Sequence, residues 1–267
     1  MQTDLLFGLT AIFAIIPAIA ISWRSQFQRD YVFVAVTVLA CAGPLISVIV
    51  RSQSTWQDDF STSIWLTIAA TMALFLVFSL MVQSAWRLAP LLNAYMLILA
   101  TLAFAWQHAE SGSSISDNSI GLLALHIGFA VATYGLVTLA AVAGLAAFLQ
   151  ERALKQKRKP ILEGILPSIT DCDRLVSRFL IIGETILGLG LVTGFILNVT
   201  GGEGVISLDH KTIFSLATFA TIGTLLYAQS KHGLRGRRAS RIVLLAYLLL
   251  TLGYPGVKFV TSVLITT

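Results

Sequence analysis

The chain has 267 residues, of which 56% are hydrophobic and 12% charged, with a formal net charge of +5 and a mean hydropathy of +0.83. Soluble domains carry about a quarter charged residues, so this composition excludes a water-soluble globular fold. The basic residues are divided among short connections instead of gathering on one face, which argues against a nucleic-acid partner.

Crossing a hydrocarbon core of roughly 30 Å takes about 20 mostly apolar residues in a helix. Eight such stretches follow in chain order, near 4–22, 31–50, 62–82, 88–106, 119–149, 175–198, 210–229 and 241–264. Backbone polar groups cannot stay unpaired in lipid, so each stretch is predicted helical. The two-residue alternation of barrel strands is absent from them. The expected fold is an all-α integral membrane protein, a bundle of eight transmembrane helices forming one polytopic domain over 1–267.

The first stretch ends in Ala18-Ile19-Ala20, which resembles a signal-peptide cleavage site. No basic residue precedes the apolar run, and Arg24 and Arg29 follow it. That charge order is wrong for a signal peptide, and the stretch reads as a span. Pro17, Pro44 and Pro255 fall within predicted spans and are candidate helix breaks. The fifth stretch is unusually long and carries Gly121, Gly128 and Gly135 on one stripe. The sixth carries Gly183, Gly190 and Gly194, where Gly190 and Gly194 form a GxxxG. Such stripes let helices approach closely in lipid, and both are read as packing surfaces. Before the sixth span, Ile169 to Arg178 reads as a short interfacial helix.

Orientation follows from the placement of Lys and Arg. With the N-terminus outside, fifteen of the eighteen basic residues fall in inner connections. Only Arg51, Lys211 and Lys258 fall outside. Both termini are therefore expected on the outer, periplasmic side of a bacterial inner membrane. The basic excess lies at an anionic inner leaflet, worth about 1 kcal/mol per residue there, and the inner loop 152–159 fits lipid or a cytoplasmic protein. Trp23 and Trp86 at inner borders, and Trp56 and Trp106 at outer ones, are expected interfacial anchors.

Two cysteines, Cys41 and Cys172, form no CxxC pair, which removes disulfide exchange and cysteine-based metal binding. No nucleophile, phosphate loop or metal-ligand cluster stands out, so the chain is not expected to be an enzyme. His108, His126 and His210 lie near the outer boundary, at the ends of spans four, five and seven; His232 lies at the inner one. His126 is about two turns inside its span. His210 opens the seventh helix, and the positive end of a helix dipole suits a neutral imidazole, the form that iron binds. At 3.6 residues per turn, Thr133 shares a face with His126, and Phe214, Ala217 and Thr221 share one with His210. Taken singly, each histidine also fits an interfacial residue satisfied by water or a carbonyl. Glu184 is the one acidic residue well inside a span. Intramembrane carboxylates are functional candidates, and this one raises the alternative of a permease component or small-solute transporter.

Three segments carry a resemblance. Leu125-His126-Ile127 followed by Thr133-Tyr134-Gly135 resembles an LH(V/I)…SYA segment. Asp209-His210-Lys211-Thr212 with Gly233-Leu234-Arg235-Gly236-Arg237-Arg238 resembles WDPKE…GWRGRR, and Tyr254-Pro255-Gly256-Val257-Lys258-Phe259 resembles TYFGVNF. These are segments of the cytochrome c assembly family, the CcsA/CcmC/HemX-like group, and the likeness is greatest to its short YpjD/CorE-type members. It covers about 119–260. The resemblance implies haem, taken here as haem b, held at the outer face by histidines for cytochrome c assembly. His126 falls on the position of the first external ligand, and His210 lies where the family's WWD segment ends. The implied partners are membrane lipids, other cytochrome c biogenesis proteins and apocytochrome. The chain departs from the pattern in having no tryptophan in 198–209, Leu234 in place of the tryptophan of GWRGRR, Tyr227 near the family's intramembrane histidine, and no histidine after Lys258.

Overall fold

The computed structural model describes residues 2–23, 29–52, 60–106, 120–156, 165–200 and 210–256. Eight α-helices account for nearly all of them: α1 Gln2–Ser22, α2 Tyr31–Ser52, α3 Phe60–Met81, α4 Ala89–Ala105, α5 Ile120–Lys155, α6 Ile169–Thr200, α7 His210–His232 and α8 Arg237–Thr251. A 3-10 turn, Ala85–Leu88, leads into α4, and a π-helical turn, Leu252–Gly256, follows α8. Six helical segments are long and apolar enough to cross a membrane: Tyr31–Val50, Phe60–Met81, Ala85–Ala105, Gly121–Lys155, Ile169–Thr200 and His210–His232. The apolar part of α1, Leu6–Ser22, is shorter, and α8 has 15 residues. His108, Trp56, Asp209 and the end of the eighth stretch lie outside the described residues.

The helices cluster into two compact units, residues 1–115 with 146–172, and residues 116–145 with 173–267. In the first, α1 packs on α2 and α4, and α3 packs on the same two, closing a four-helix ring. Trp65, Ile68, Met72 and Phe75 of α3 and Leu88, Leu92 and Met96 on the α4 side are fully buried. Helices α1 and α2 come close at Gly43 on α2, where a Cβ would stand 2.8 Å from Ala14 Cβ on α1. Ser47 Oγ donates to the Phe7 carbonyl at 3.1 Å, tying the same two helices. Asp30 caps α2 by accepting from the Phe33 N–H at 2.9 Å, and Arg29 donates to the Leu80 carbonyl at 2.7 Å at the end of α3. That end is where a cation satisfies free carbonyls. The predicted anchor Trp86 packs edge-on against Phe33 with the Arg87 guanidinium over its ring, while Trp23 is exposed.

Helices α1 and α2 run unbroken through Pro17 and Pro44, so neither proline is a break. The residues expected as a separate interfacial helix belong to α6 itself. Ser168 and Asp171 form a reciprocal cap at its start, with the Asp171 N–H on Ser168 Oγ at 3.2 Å and the hydroxyl on Asp171 Oδ2 at 2.7 Å. No Gly or Pro follows until Gly183, so nothing interrupts the helix there. Helix α5 has 36 residues, roughly 54 Å at the helical rise, well beyond a hydrocarbon core.

In the second unit α5 touches α6 and α8, α6 touches α7, and α7 touches α8. The α5–α8 contact is a cluster of hydroxyls: Tyr134 lies 3.2 Å from Tyr247 and 3.3 Å from Thr251. The α6–α7 contact includes the Ser177 hydroxyl donating to Gln229 Oε1 at 3.0 Å. Between α7 and α8 the chain reverses through Gly233 at φ 63° and Gly236 at φ 66°. Other residues adopt that left-handed region with strain. The Leu234 N–H returns to the Ala228 carbonyl at 3.3 Å, closing the end of α7.

Candidate functional site

The second unit is built on glycines that receive side chains. His126 on α5 lies against α6, where Nδ1 is 3.0 Å from the Gly190 carbonyl and 3.1 Å from Thr193 Oγ1. Its ring edge fills the space beside Gly194: a Cβ there would stand 3.1 Å from Cε1 and 3.9 Å from Nε2. Phe129, one turn on, passes Gly190 with its Cβ 3.5 Å from where a side chain would begin. The GxxxG of α6 is thus more than a flat packing stripe. One glycine supplies a carbonyl, the other supplies room for an imidazole, and Thr193 between them supplies a hydroxyl. Sequence reasoning missed Thr193 as a site residue. The available signal was a hydroxyl residue inside a GxxxG on the neighbour of a histidine-bearing helix.

The matching stripe on α5 behaves differently. Beside Gly121 and Gly128 there is open space among the described residues, so neither receives a neighbouring helix.

Thr133 is buried, and its hydroxyl has no hydrogen-bond partner among the described residues. Thr138, by contrast, donates to the Tyr134 carbonyl one turn back at 2.7 Å. Phe214 on α7 packs against the π-helical turn after α8, where a Cβ at Gly253 would come within 2.8 Å of its own Cβ. Thr221 donates to the Ala217 carbonyl on its own helix. His210 is exposed at the first position of α7.

Contacts at 126–194, 129–190 and 136–183 set the α5–α6 register, and contacts at 188–219 and 184–223 set that of α6–α7. Both pairs are antiparallel. Carried across, Phe214 comes level with His126, and His210 lies about one turn, roughly 6 Å, further toward the start of α7. The contacts of His126 run to α6 and that of Phe214 to the turn after α8. Glu184 faces α7 with Oε1 3.2 Å from the Cβ position of Gly223, and its buried Oε2 has no partner among the described residues. Among the described residues no three of His, Cys, Asp and Glu gather as a metal cluster. Cys41 and Cys172 are buried free thiols.

Haem iron asks for a neutral imidazole with one ring nitrogen free and the other held by an acceptor. His126 fits that demand: Nδ1 is engaged by α6, and Nε2 has no hydrogen-bond partner among the described residues. His210 is open to a ligand through its exposure alone.

The whole chain resembles a protein of Azospirillum brasilense described as an uncharacterized 28.8 kDa protein in a nifR3-like 5' region, at 43% identity over 99% of this chain and 100% of that one. Protein HemX of Brevibacillus brevis is 28% identical over 65% of this chain and 62% of its own length. Inner membrane protein YpjD of Escherichia coli K12 is 26% identical over 67% of this chain and 66% of its own. The chain thus spans just under two thirds of these last two relatives. No solved structure matches it. The family described as cytochrome c assembly protein matches residues 31–265, from α2 to beyond the last described helix. This multi-pass membrane protein belongs to the cytochrome c assembly family.

Proposed function

We propose that the chain is a haem-binding, non-catalytic protein of a bacterial inner membrane that assists cytochrome c assembly. It crosses the membrane eight times with both termini periplasmic, and His126 and His210 ligate the iron of haem b near that face. One observation carries the reading: Nδ1 of His126 is paired with Gly190 and Thr193, and Nε2 has no hydrogen-bond partner among the described residues. Family membership, the fifteen of eighteen basic residues that fall on one side when eight spans are counted, and a relative described as an inner membrane protein support it.

Haem, when bound, supplies an iron centre. The chain's own residues divide the remaining work. His126 offers a nitrogen lone pair, and Gly194 leaves its ring room. His210 closes from the start of α7, with Phe214 one turn below it and Thr133 two turns below His126 on α5. Anionic lipids hold the basic inner end, and apocytochrome or other biogenesis proteins meet the periplasmic one.

The test is an absorbance spectrum of full-length protein purified from haem-replete cells. Wild type is expected to carry a Soret band that His126→Ala/His210→Ala loses. Two spectra alike, with no band in either, overturn the proposal.

A second reading, a permease component or small-solute transporter, draws on the unpartnered Oε2 of Glu184 at mid-helix. Under it, Glu184→Gln abolishes solute flux in proteoliposomes. Unchanged flux of every solute tried removes it.

A further inference from the structure

We infer that Gly190, Thr193 and Gly194 form a seat on α6 that presents Nε2 of His126 as a lone-pair donor, suited to a molecule centred on a metal ion and unsuited to an anion that needs a donated hydrogen. The inference rests on the proposed role of His126 and adds which nitrogen faces the ligand and what that nitrogen selects.

Proton accounting gives the direction. The Gly190 carbonyl can only accept. The Thr193 hydroxyl has one proton, and it lies 2.9 Å from that same carbonyl, to which it donates. Thr193 Oγ1 therefore meets His126 through a lone pair. Both partners of Nδ1 are acceptors toward it, at 3.0 and 3.1 Å, so Nδ1 carries the ring hydrogen. A neutral imidazole has only one, and Nε2 is left with its lone pair. That atom cannot donate to a carboxylate, a sulfonate or a phosphate headgroup. It can bind a metal ion, with the other nitrogen anchored by an acceptor as metal-ligating histidines are.

Gly194 fixes the ring's place. The ring edge lies beside it, with Cε1 at 3.1 Å, Nδ1 at 3.6 Å and Nε2 at 3.9 Å from the missing Cβ. An alanine would press on Cε1 and shift the ring by a few tenths of an ångström. Thr193 is 8% exposed and belongs to α6, so it acts on a ligand only through His126. It is a positioning residue.

The experiment uses full-length protein in nanodiscs with ¹⁵N-labelled histidine, first without porphyrin and then with three probes: haemin, zinc protoporphyrin and metal-free protoporphyrin. The ring-nitrogen shifts of His126 are expected to report Nδ1–H in wild type. Thr193→Val is expected to keep Nδ1–H, which the Gly190 carbonyl still holds, but to loosen the ring and weaken haemin and zinc protoporphyrin by about tenfold, within the range for losing the outer partner of a metal ligand. Thr193→Ser is expected to restore both. Metal-free protoporphyrin is expected to bind weakly, and alike in all three proteins.

An Nε2–H tautomer in wild type overturns the seat, as does metal-free protoporphyrin held as tightly as haemin. If wild type shows Nε2–H yet loses haemin on His126→Ala, the seat fails and the haem reading stands. If it shows Nδ1–H and retains zinc protoporphyrin but not haemin, the haem reading fails and the seat stands.

Discussion

The two four-helix units solve the same packing problem with different residues. The first is filled by bulk: Trp65, Met72, Phe75 and Met96 occupy its interior, and one glycine, Gly43, brings two backbones together. The second is notched. Gly194 receives an imidazole, Gly223 a carboxylate oxygen and Gly253 the root of a phenylalanine, while hydroxyls join α5 to α8. In lipid no hydrophobic gain drives apolar helices together, so close contact and hydrogen bonds must do so. Around that bulk the first unit adds a few hydrogen bonds between helices, Ser47 to the Phe7 carbonyl and Asn93 to Ser22 among them. Notches give contact and also admit polar groups, which is what a binding unit needs. Each unit still keeps two buried polar atoms without partners among the described residues: Trp65 Nε1 and Asn93 Oδ1 in the first, Thr133 Oγ1 and Glu184 Oε2 in the second.

If the contrast holds, damage to the two units has different consequences. His126→Ala is expected to have the largest effect, removing bound haem while leaving the circular dichroism melting curve in place, since the ring is only partly buried. A melting loss as large as the haem loss would make His126 a packing residue. Gly43→Ala is the counterpart in the first unit. Its Cβ meets both Ala14 Cβ at 2.8 Å and the Ala11 backbone at 3.1 Å, so overpacking should cost about 1–3 kcal/mol. Thermal denaturation in detergent should fall, with haem per folded protein unchanged.

Ser168→Ala removes the reciprocal cap of α6 at a cost of about 1 kcal/mol, read as a lower melting temperature; Ser168→Asp, which keeps a capping oxygen, should regain most of it. Gly128→Ala is expected to do least. Space beside Gly128 is open, so stability should stay level or rise by less than about 1 kcal/mol from helix propensity. A marked loss would mean that a helix covers it after all.

Much of the architecture was legible because bilayer thickness sets span length, and apolar runs report it directly. Helix ends were less so. The start of α6 depends on a Ser168–Asp171 exchange in a polar stretch, and hydropathy is blind to capping. Composition marks Pro17 and Pro44 as possible breaks, yet α1 and α2 continue through them, as a membrane helix can when its surroundings satisfy the freed carbonyl. At the candidate site, periodicity picked out His126, Thr133, His210 and Phe214 as faces of single helices. It could not pair helices, so the partnership of His126 with Thr193 and Gly190 stayed hidden, and the two glycine stripes looked equivalent. Only the three-dimensional register separates Gly194, which holds a ring, from Gly128, which meets nothing within 4 Å among the described residues.

The central claim is that His126 ligates haem iron from the notched unit. Electron paramagnetic resonance of the ferric, haem-loaded protein tests it most directly, comparing wild type with His126→Ala and His210→Ala. The account predicts a low-spin signal from two imidazoles in wild type and conversion toward high spin in each variant. A wild-type signal that neither substitution alters would contradict it.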